Sequence, residues 1–423
     1  MNIKTAAEAV KLIPSNSSVF IHTAAATPKL LVEAMAMRSN SLTNVKLYSI
    51  HTEWEATYAQ PEHIHAFEIN AFFVGSNIRK VVNQGLASYA PVFLSEIPKV
   101  FREGHVPLDV ALITVSAPDK NGYCSLGVSC DVSKAAVDMA RIIIAEVNTT
   151  MPTIWGAGVI HVSQIDALVE TDYQIYNNDP KPLSEEDIKI GAFIAPLIED
   201  GSTLQMGIGG IPNAVLAQLE HHKHLGIHTE LCSDGIIDLV HCGAIDGSKK
   251  KIHPGTIISG FANGSKRFYD FLDKNPIVRL LESDFTNNPH IIAKNPKVVA
   301  LNSAIEIDLF GQICADSIGS MQYSGVGGQV DFMRGAGLSP GGKPIIAMNS
   351  RTNKGQSKIV AQLKKGASVT TSRAHVHYVA TEYGIVNLFS KSLKERAKAL
   401  ISIAHPDDRE QLSRDAFELL KIS

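Results

Sequence analysis

Short apolar runs alternate with stretches of helical period along most of the chain. This alternation predicts a parallel sheet covered by helices on both faces. Val19-Phe20-Ile21, Val110 to Val115, Arg141 to Val147 and Val298 to Asn302 read as buried strands. Between them, Pro28 to Met37 and Val132 to Ala140 place apolar residues at helical spacing, the first with a proline near its start, where a missing amide costs little. Further on, Ser184-Glu185-Glu186-Asp187 has the serine N-cap and acidic first turn of a helix that buries Ile190, Phe193, Ile194 and Leu197. Leu393 to Ile401 reads as a charged helix over a core stripe.

One stretch combines these signals with chemistry. Met206-Gly207-Ile208-Gly209-Gly210-Ile211-Pro212 breaks an apolar run into a glycine loop that opens a helix, and the next apolar run, from Gly226, ends on Glu230. That is a strand, loop, helix, strand unit with an acid at the carboxyl end of a strand, where open α/β sheets bind ligands. Loop amides at a helix N-terminus suit a phosphate or a developing oxyanion. Glu230 also falls where a dinucleotide fold would hold a ribose, but Pro212 occupies the position of the third glycine of that fingerprint.

The chain carries this unit twice. Laid over the first strand without gaps, Ser202 falls on Ser18, Pro212 on Pro28, and Ala214 to Leu219 on Leu30 to Met35 in the same phase. Gly75-Ser76-Asn77-Ile78-Arg79 answers Asn263-Gly264-Ser265-Lys266-Arg267, and Asp109 to Ile113 answers Lys297 to Leu301. Only the second copy keeps the glycines; the first has Thr23, Ala25 and Ala26. The anion-receiving loop is therefore expected in the second half. A polar, proline-bearing stretch, Thr171 to Pro182, marks a boundary between a domain of residues 1–183 and one of residues 184–423.

Composition narrows the functions. The 423 residues are 45% hydrophobic, enough for ample core, and the formal net charge of −3 gives no basic field for nucleic acid. No apolar run is long enough to cross a bilayer, and the N-terminal residues carry charge where a signal peptide needs an apolar core, so a cytoplasmic protein is expected. Cys124, Cys130, Cys232, Cys242 and Cys314 form no CxxC, which supports neither disulfides nor a zinc knuckle. His221, His222 and His224 read as the end of the helix after the glycine loop, and the pairs His63/His65 and His375/His377 as structural or surface residues. His221, His222 and His224 are joined by no acid or cysteine at ligand spacing, and no metal is expected. The chain has no G-x-S-x-G elbow and no Walker loop, which argues against a serine hydrolase and an ATP-driven ligase. A second glycine cluster, Ser324-Gly325-Val326-Gly327-Gly328-Gln329, offers another source of amides. A carboxylate such as Glu230 acts as a nucleophile toward an acyl group where such amides stabilise the tetrahedral intermediate.

Four separated motifs, in order, resemble the acetyl-CoA hydrolase/transferase family, a class I CoA-transferase group. They are Ser116-Ala117-Pro118-Asp119 through Gly127, Met206 to Val215, Gly325 to Gln329, and Val376 to Gly384. The resemblance runs nearly the full chain. It implies two similar open, mostly parallel α/β domains with the active site between them. It implies Glu230 as nucleophile, with the backbone amides near Ile208 and at Gly328 as oxyanion hole. Asn288 is the asparagine matching the family's Asn-x-Pro turn; here the turn reads Asn287-Asn288-Pro289. Ser372-Arg373 stands where relatives often have Pro-Arg.

The implied reaction moves coenzyme A between a short-chain acyl-CoA and a small carboxylate, 4-hydroxybutyrate or butyrate with acetyl-CoA. It runs by ping-pong steps through a glutamyl-CoA thioester. CoA is then a substrate, no cofactor is permanently bound, and a homodimer is the expected assembly. Gly207, Gly209, Gly325, Gly327 and Gln329 are expected to contact CoA, with Lys358 on a phosphate. Glu53-Trp54-Glu55 and Met206 are candidates for setting acyl length. An acyl-CoA hydrolase and a dinucleotide-dependent oxidoreductase remain as alternatives.

Overall fold

The computed structural model describes residues 3 to 421. The chain divides into two compact units. The first comprises Met1–Asp179, Ile258–Thr286 and Tyr323–Gly327, and the second Pro180–Ile257, Asn287–Gln322 and Gly328–Ser423.

In the first unit seven parallel strands lie in the order Ser88–Tyr89, Phe67–Ala71, Val45–Ser49, Ser18–Ile21, Val110–Val115, Ile142–Asn148, Ala167–Thr171. The central strands are buried at every position, Val110–Val115 without exception, as a sheet covered on both faces requires. One face packs Ile21, Leu31, Met35 and Leu47; Phe20, Phe72 and Phe101 fill another cluster of the same unit, the last two rings meeting edge-on at 5.9 Å.

The second unit repeats the arrangement. Gly226–Cys232, Thr203–Met206, Val298–Asn302, Lys343–Ala347 and Tyr378–Thr381 run parallel, and Gly384–Asn387 closes the edge antiparallel. The repeat extends to register. Val19 pairs with Val110 in the first unit and Thr203 with Val298 in the second, the same positions that the sequence overlay brings together.

The expected elements form with small shifts at their ends, but of its expected core residues the helix after Ser184 buries Ile190 and Ile194 only, leaving Phe193 exposed and Leu197 in the turn beyond it. Ser184 caps the helix Glu185–Ile194 through a capping box with Asp187. That helix lies close against the helix Gly210–Leu216, because a Cβ on Gly191 would come within 2.9 Å of Ala214 backbone. No helix or strand is formed from Asp172 to Leu183. The histidines depart from the expectation. The helix after the glycine loop stops at Leu216, so His221, His222 and His224 lie in the turns beyond it. There the His222 ring bonds the Ile198 carbonyl at 3.0 Å and His224 pairs with Asp246 at 2.8 Å. His375 and His377 precede the strand Tyr378–Thr381 instead of alternating on it. Among the described residues no helix is long and apolar enough to cross a membrane.

Candidate active site

The carboxyl ends of two neighbouring strands build the site in the second unit. Thr229 Oγ1 donates to the Met206 carbonyl at 3.1 Å, so Thr203–Met206 and Gly226–Cys232 reach the sheet edge together, and Gly207 starts its loop beside Glu230. Glu230 is half-buried. Asn287, fully buried, donates from Nδ2 to Glu230 Oε2 at 2.9 Å. Gly328 completes the group as N-cap of the helix Gln329–Leu338. A Cβ there would stand 1.9 Å from Glu230 Oε2 and 2.0 Å from Asn287 Nδ2. With φ at −103°, Gly328 answers to this close approach and not to backbone strain.

The glycines of the first loop serve different needs. Gly207 and Gly209 face open space, Gly209 at φ 120°, whereas a Cβ on Gly210 would strike the Asp187 carboxylate at 2.0 Å. Asp187 is also the capping-box acid of its own helix, and its side chain lies against the start of the next one. Ile208, between the open glycines, is an exposed apolar residue. Met206, Leu216, Ile227 and Ile236 line a small apolar recess behind the loop.

The first unit's counterpart loop is closed. Thr23, Ala24, Ala25 and Ala26 are buried, the Ala24 amide donates to the His51 carbonyl at 2.9 Å, and Thr27 Oγ1 donates to the Ala24 carbonyl at 2.6 Å. The start of the following helix receives a carboxylate from within. Glu146 Oε1 accepts from the Leu31 amide at 2.7 Å, and Glu146 Oε2 from the Tyr173 hydroxyl at 2.6 Å. Burial pushes the Glu146 carboxyl up to about 7, against the lowering effect of those two bonds.

The other expected residues fall in several places. Asn288 is not on Glu230: its Oδ1 accepts from the His290 amide at 3.0 Å and caps the short helix Pro289–Ile292, while its neighbour Asn287 reaches the carboxylate. The order of residues carried a signal for this. The residue directly before a helix-starting proline is the N-cap, which commits Asn288 and frees Asn287. Gln329 Nε2 donates to the Ser303 carbonyl at 2.7 Å, and its Oε1 accepts from Thr371 Oγ1 at 2.7 Å. Lys358 is half-buried, and burial, opposed by the Glu382 carboxylate, brings its amine down to about 8. Glu382 itself accepts from the Ser350 amide at 2.8 Å and the Ser350 hydroxyl at 2.5 Å. In the first unit, Gly325 lies against Phe73, where a Cβ would meet the ring at 2.8 Å. Gly327, at φ 55°, gives its carbonyl to the Leu94 amide at 3.1 Å.

Four of the five cysteines are buried, and burial pushes the Cys232 thiol, two residues from Glu230, up to about 12. No group of three or more histidine, cysteine or acidic side chains is gathered for a metal among the described residues.

The half-buried Glu230 thus has an amide donor on it and no room for a neighbouring Cβ, and comparison with known proteins places the chain in a family. The family model for the acetyl-CoA hydrolase/transferase N-terminal domain matches residues 1–178, and that for the C-terminal domain matches residues 264–416. The chain belongs to the acetyl-CoA hydrolase/transferase family. It is 49% identical to the succinyl-CoA:acetate/propanoyl-CoA:succinate CoA transferase of Fasciola hepatica, over 98% of this chain and 87% of that one. It is 47% identical to the 4-hydroxybutyrate coenzyme A transferase of Clostridium kluyveri, over 97% of this chain and 96% of that one. The crystal structure of 4-hydroxybutyrate CoA-transferase from Porphyromonas gingivalis superposes with a TM-score of 0.85 at 39% identity, covering 99% of this chain and 97% of that one. Proteins named acetyl-CoA hydrolase are more distant, at 26% identity. The chain is a CoA-transferase, which sets aside the oxidoreductase alternative.

Proposed function

We propose that this enzyme moves coenzyme A between a short-chain acyl-CoA and a small carboxylate through Glu230. The observation that carries the reading is the grouping of Glu230, Asn287 and Gly328. The Asn287 amide donates to the carboxylate, and at Gly328 bare backbone comes up against it.

The steps balance without a metal or ATP. A Glu230 oxygen attacks the thioester carbonyl and the C–S bond breaks, giving a mixed anhydride and CoA thiolate. The thiolate attacks the glutamyl carbonyl of the anhydride, the first acid leaves as a carboxylate, and Glu230 becomes a CoA thioester. A second carboxylate reverses both steps and leaves as its own CoA ester. One thioester is consumed and one is made. Each tetrahedral intermediate carries an oxyanion, for which the backbone amides of Ile208 and Gly328 are the proposed donors. Asn287 holds the carboxylate in the attacking orientation.

Gly207 and Gly209, with open space at their Cα atoms, are the proposed approach for the acyl thioester. Gly325 and Gly327 are proposed to follow the pantetheine arm and Lys358 to meet a CoA phosphate. The relatives' names favour 4-hydroxybutyrate, butyrate, acetate, propanoate and succinate as the first acids to assay. A cytoplasmic homodimer is the proposed working form.

Borohydride treatment of enzyme incubated with acyl-CoA, followed by peptide mass spectrometry, tests the mechanism. Reduction of Glu230 to the alcohol is expected, together with CoA exchange that requires an acceptor acid. Full turnover without a mark on Glu230 sinks it. CoA release at the same rate without acceptor would make the enzyme a hydrolase.

A further inference from the structure

Gly328 has to stay within bonding reach of Glu230, yet a glycine has no side chain by which to be held. The neighbouring residue supplies the hold. Gln329 opens the helix Gln329–Leu338, and both ends of its side-chain amide are engaged within the second unit. Nε2 donates to the carbonyl of Ser303, which directly follows the strand Val298–Asn302. Oε1 accepts from Thr371 Oγ1, and Thr371 is fully buried with its own amide on the Ile313 carbonyl at 3.2 Å. The strand before Ser303 is itself tied across the sheet, since Asn302 Nδ2 donates to Gln205 Oε1 at 3.1 Å on the strand that feeds the glycine loop. One donor and one acceptor site of this side chain are thus spent on bonds internal to the protein, which fix where the amide lies.

We infer that Gln329 is a positioning residue for the transferase reaction, clamped between Ser303 and Thr371 so that the Gly328 backbone stays fixed against Glu230. This reassigns Gln329 from the CoA contact expected of it and brings in Thr371, which no motif singled out. The inference rests on the proposed role of Glu230. A group held at one point of a helix start by two bonds, one from a buried hydroxyl, leaves the first turn little freedom to pivot. Losing either bond lets the Gly328 amide drift from the oxyanion it would meet, and drifts of about 1 Å cost up to roughly 100-fold in rate. Both bonds are internal to the protein, so the inference predicts little change in affinity for CoA.

The test compares wild type with Thr371→Val, Thr371→Ser and Gln329→Ala, measuring kcat, KM for acyl-CoA, melting temperature and the single-turnover rate of borohydride-trappable label on Glu230. Expected for Thr371→Val and Gln329→Ala is a fall in kcat and labelling rate of roughly 10- to 100-fold. KM should stay within about twofold, the change a residue outside the binding contacts produces. Thr371→Ser keeps the hydroxyl and should run near the wild-type rate. Two results overturn the inference. One is a raised KM at unchanged kcat for Gln329→Ala, which makes Gln329 a substrate contact. The other is equal behaviour of the Ser and Val variants. Should Thr371→Val not fold, Gln329→Ala against Thr371→Ser carries the same decision. Absence of label on Glu230 in the wild type would be a failure of the parent mechanism, and wild-type labelling with unaffected variants a failure of the clamp alone.

Discussion

Asn287 Nδ2 donates to Glu230 Oε2 at 2.9 Å, and the two residues are fifty-seven positions apart in the chain. The bond anchors Oε2 and so restricts the rotation of the carboxylate. Replacing Asn287 with alanine should lower kcat by ~10²–10³, the range seen when one aligned donor is lost from an acyl-transfer site. Asparagine to aspartate should act differently. A second carboxylate beside Glu230 disfavours ionisation of both, so the variant's residual activity should need a higher pH than the wild type. Steady-state kinetics across pH on both variants checks this. Wild-type kcat in the alanine variant would remove Asn287 from the mechanism.

Gly328 and Gly207 should respond in opposite ways to alanine. At Gly328 the added carbon collides with the Glu230 carboxylate at 1.9 Å, so Gly328→Ala should lose nearly all activity while most of the molecule keeps its stability. At Gly207 nothing stands within 4 Å of an added Cβ, so the unliganded protein should melt as before. If the acyl thioester approaches over that loop, Gly207→Ala raises KM. Melting curves with and without acyl-CoA, alongside kinetics, separate the two cases.

The sheet was legible because its strands are buried on both faces, so Val110 to Ile113 and Val298 to Leu301 read as unbroken apolar runs. The repeat was legible for a related reason: two copies of one strand register keep the same apolar phase even where the loops have diverged. The glycine loop and Glu230 stood out because bare backbone beside an acid is costly without a use. Asn287 did not stand out, because two adjacent asparagines look alike until one recognises that Pro289 commits its predecessor to capping. The closure of the first copy by Glu146 lay outside any local pattern. The carboxylate comes from a strand 115 residues beyond the helix whose amide it accepts, and only the folded sheet brings them together.

Glu146 gives the protein a pH dependence of stability unrelated to catalysis. Its carboxyl is raised from 4.5 to about 7, first by burial, so the folded state holds a proton that the unfolded chain would already have released. A group of that sign contributes stability that is fully present below pH 4.5 and is lost as pH rises through 7. Thermal melts taken between pH 5 and 8 should therefore show a falling component. Glu146→Gln should flatten it, since the amide keeps an acceptor for Leu31 and has no proton to lose. An unchanged slope in that variant would assign the pH dependence elsewhere.

Lys358 makes the corresponding case for binding. Burial lowers its amine to about 8, with Glu382 acting the other way, so the side chain changes charge within the working range of such enzymes. A phosphate contact needs the charged form. If Lys358 meets a CoA phosphate, kcat/KM for acyl-CoA, which reports the free enzyme, should decline as pH rises through 8. Lys358→Met should begin with a higher KM and lose that decline, because no amine remains to titrate. An acyl-CoA lacking the 3′-phosphate then identifies the partner. If the 3′-phosphate is the contact, wild type and Lys358→Met converge on that substrate; if the pyrophosphate is, the difference between them persists. A wild-type profile that stays flat from pH 7 to 9 would leave the lysine's charge without a part in CoA recognition, and its burial beside Glu382 would then be a matter of packing alone.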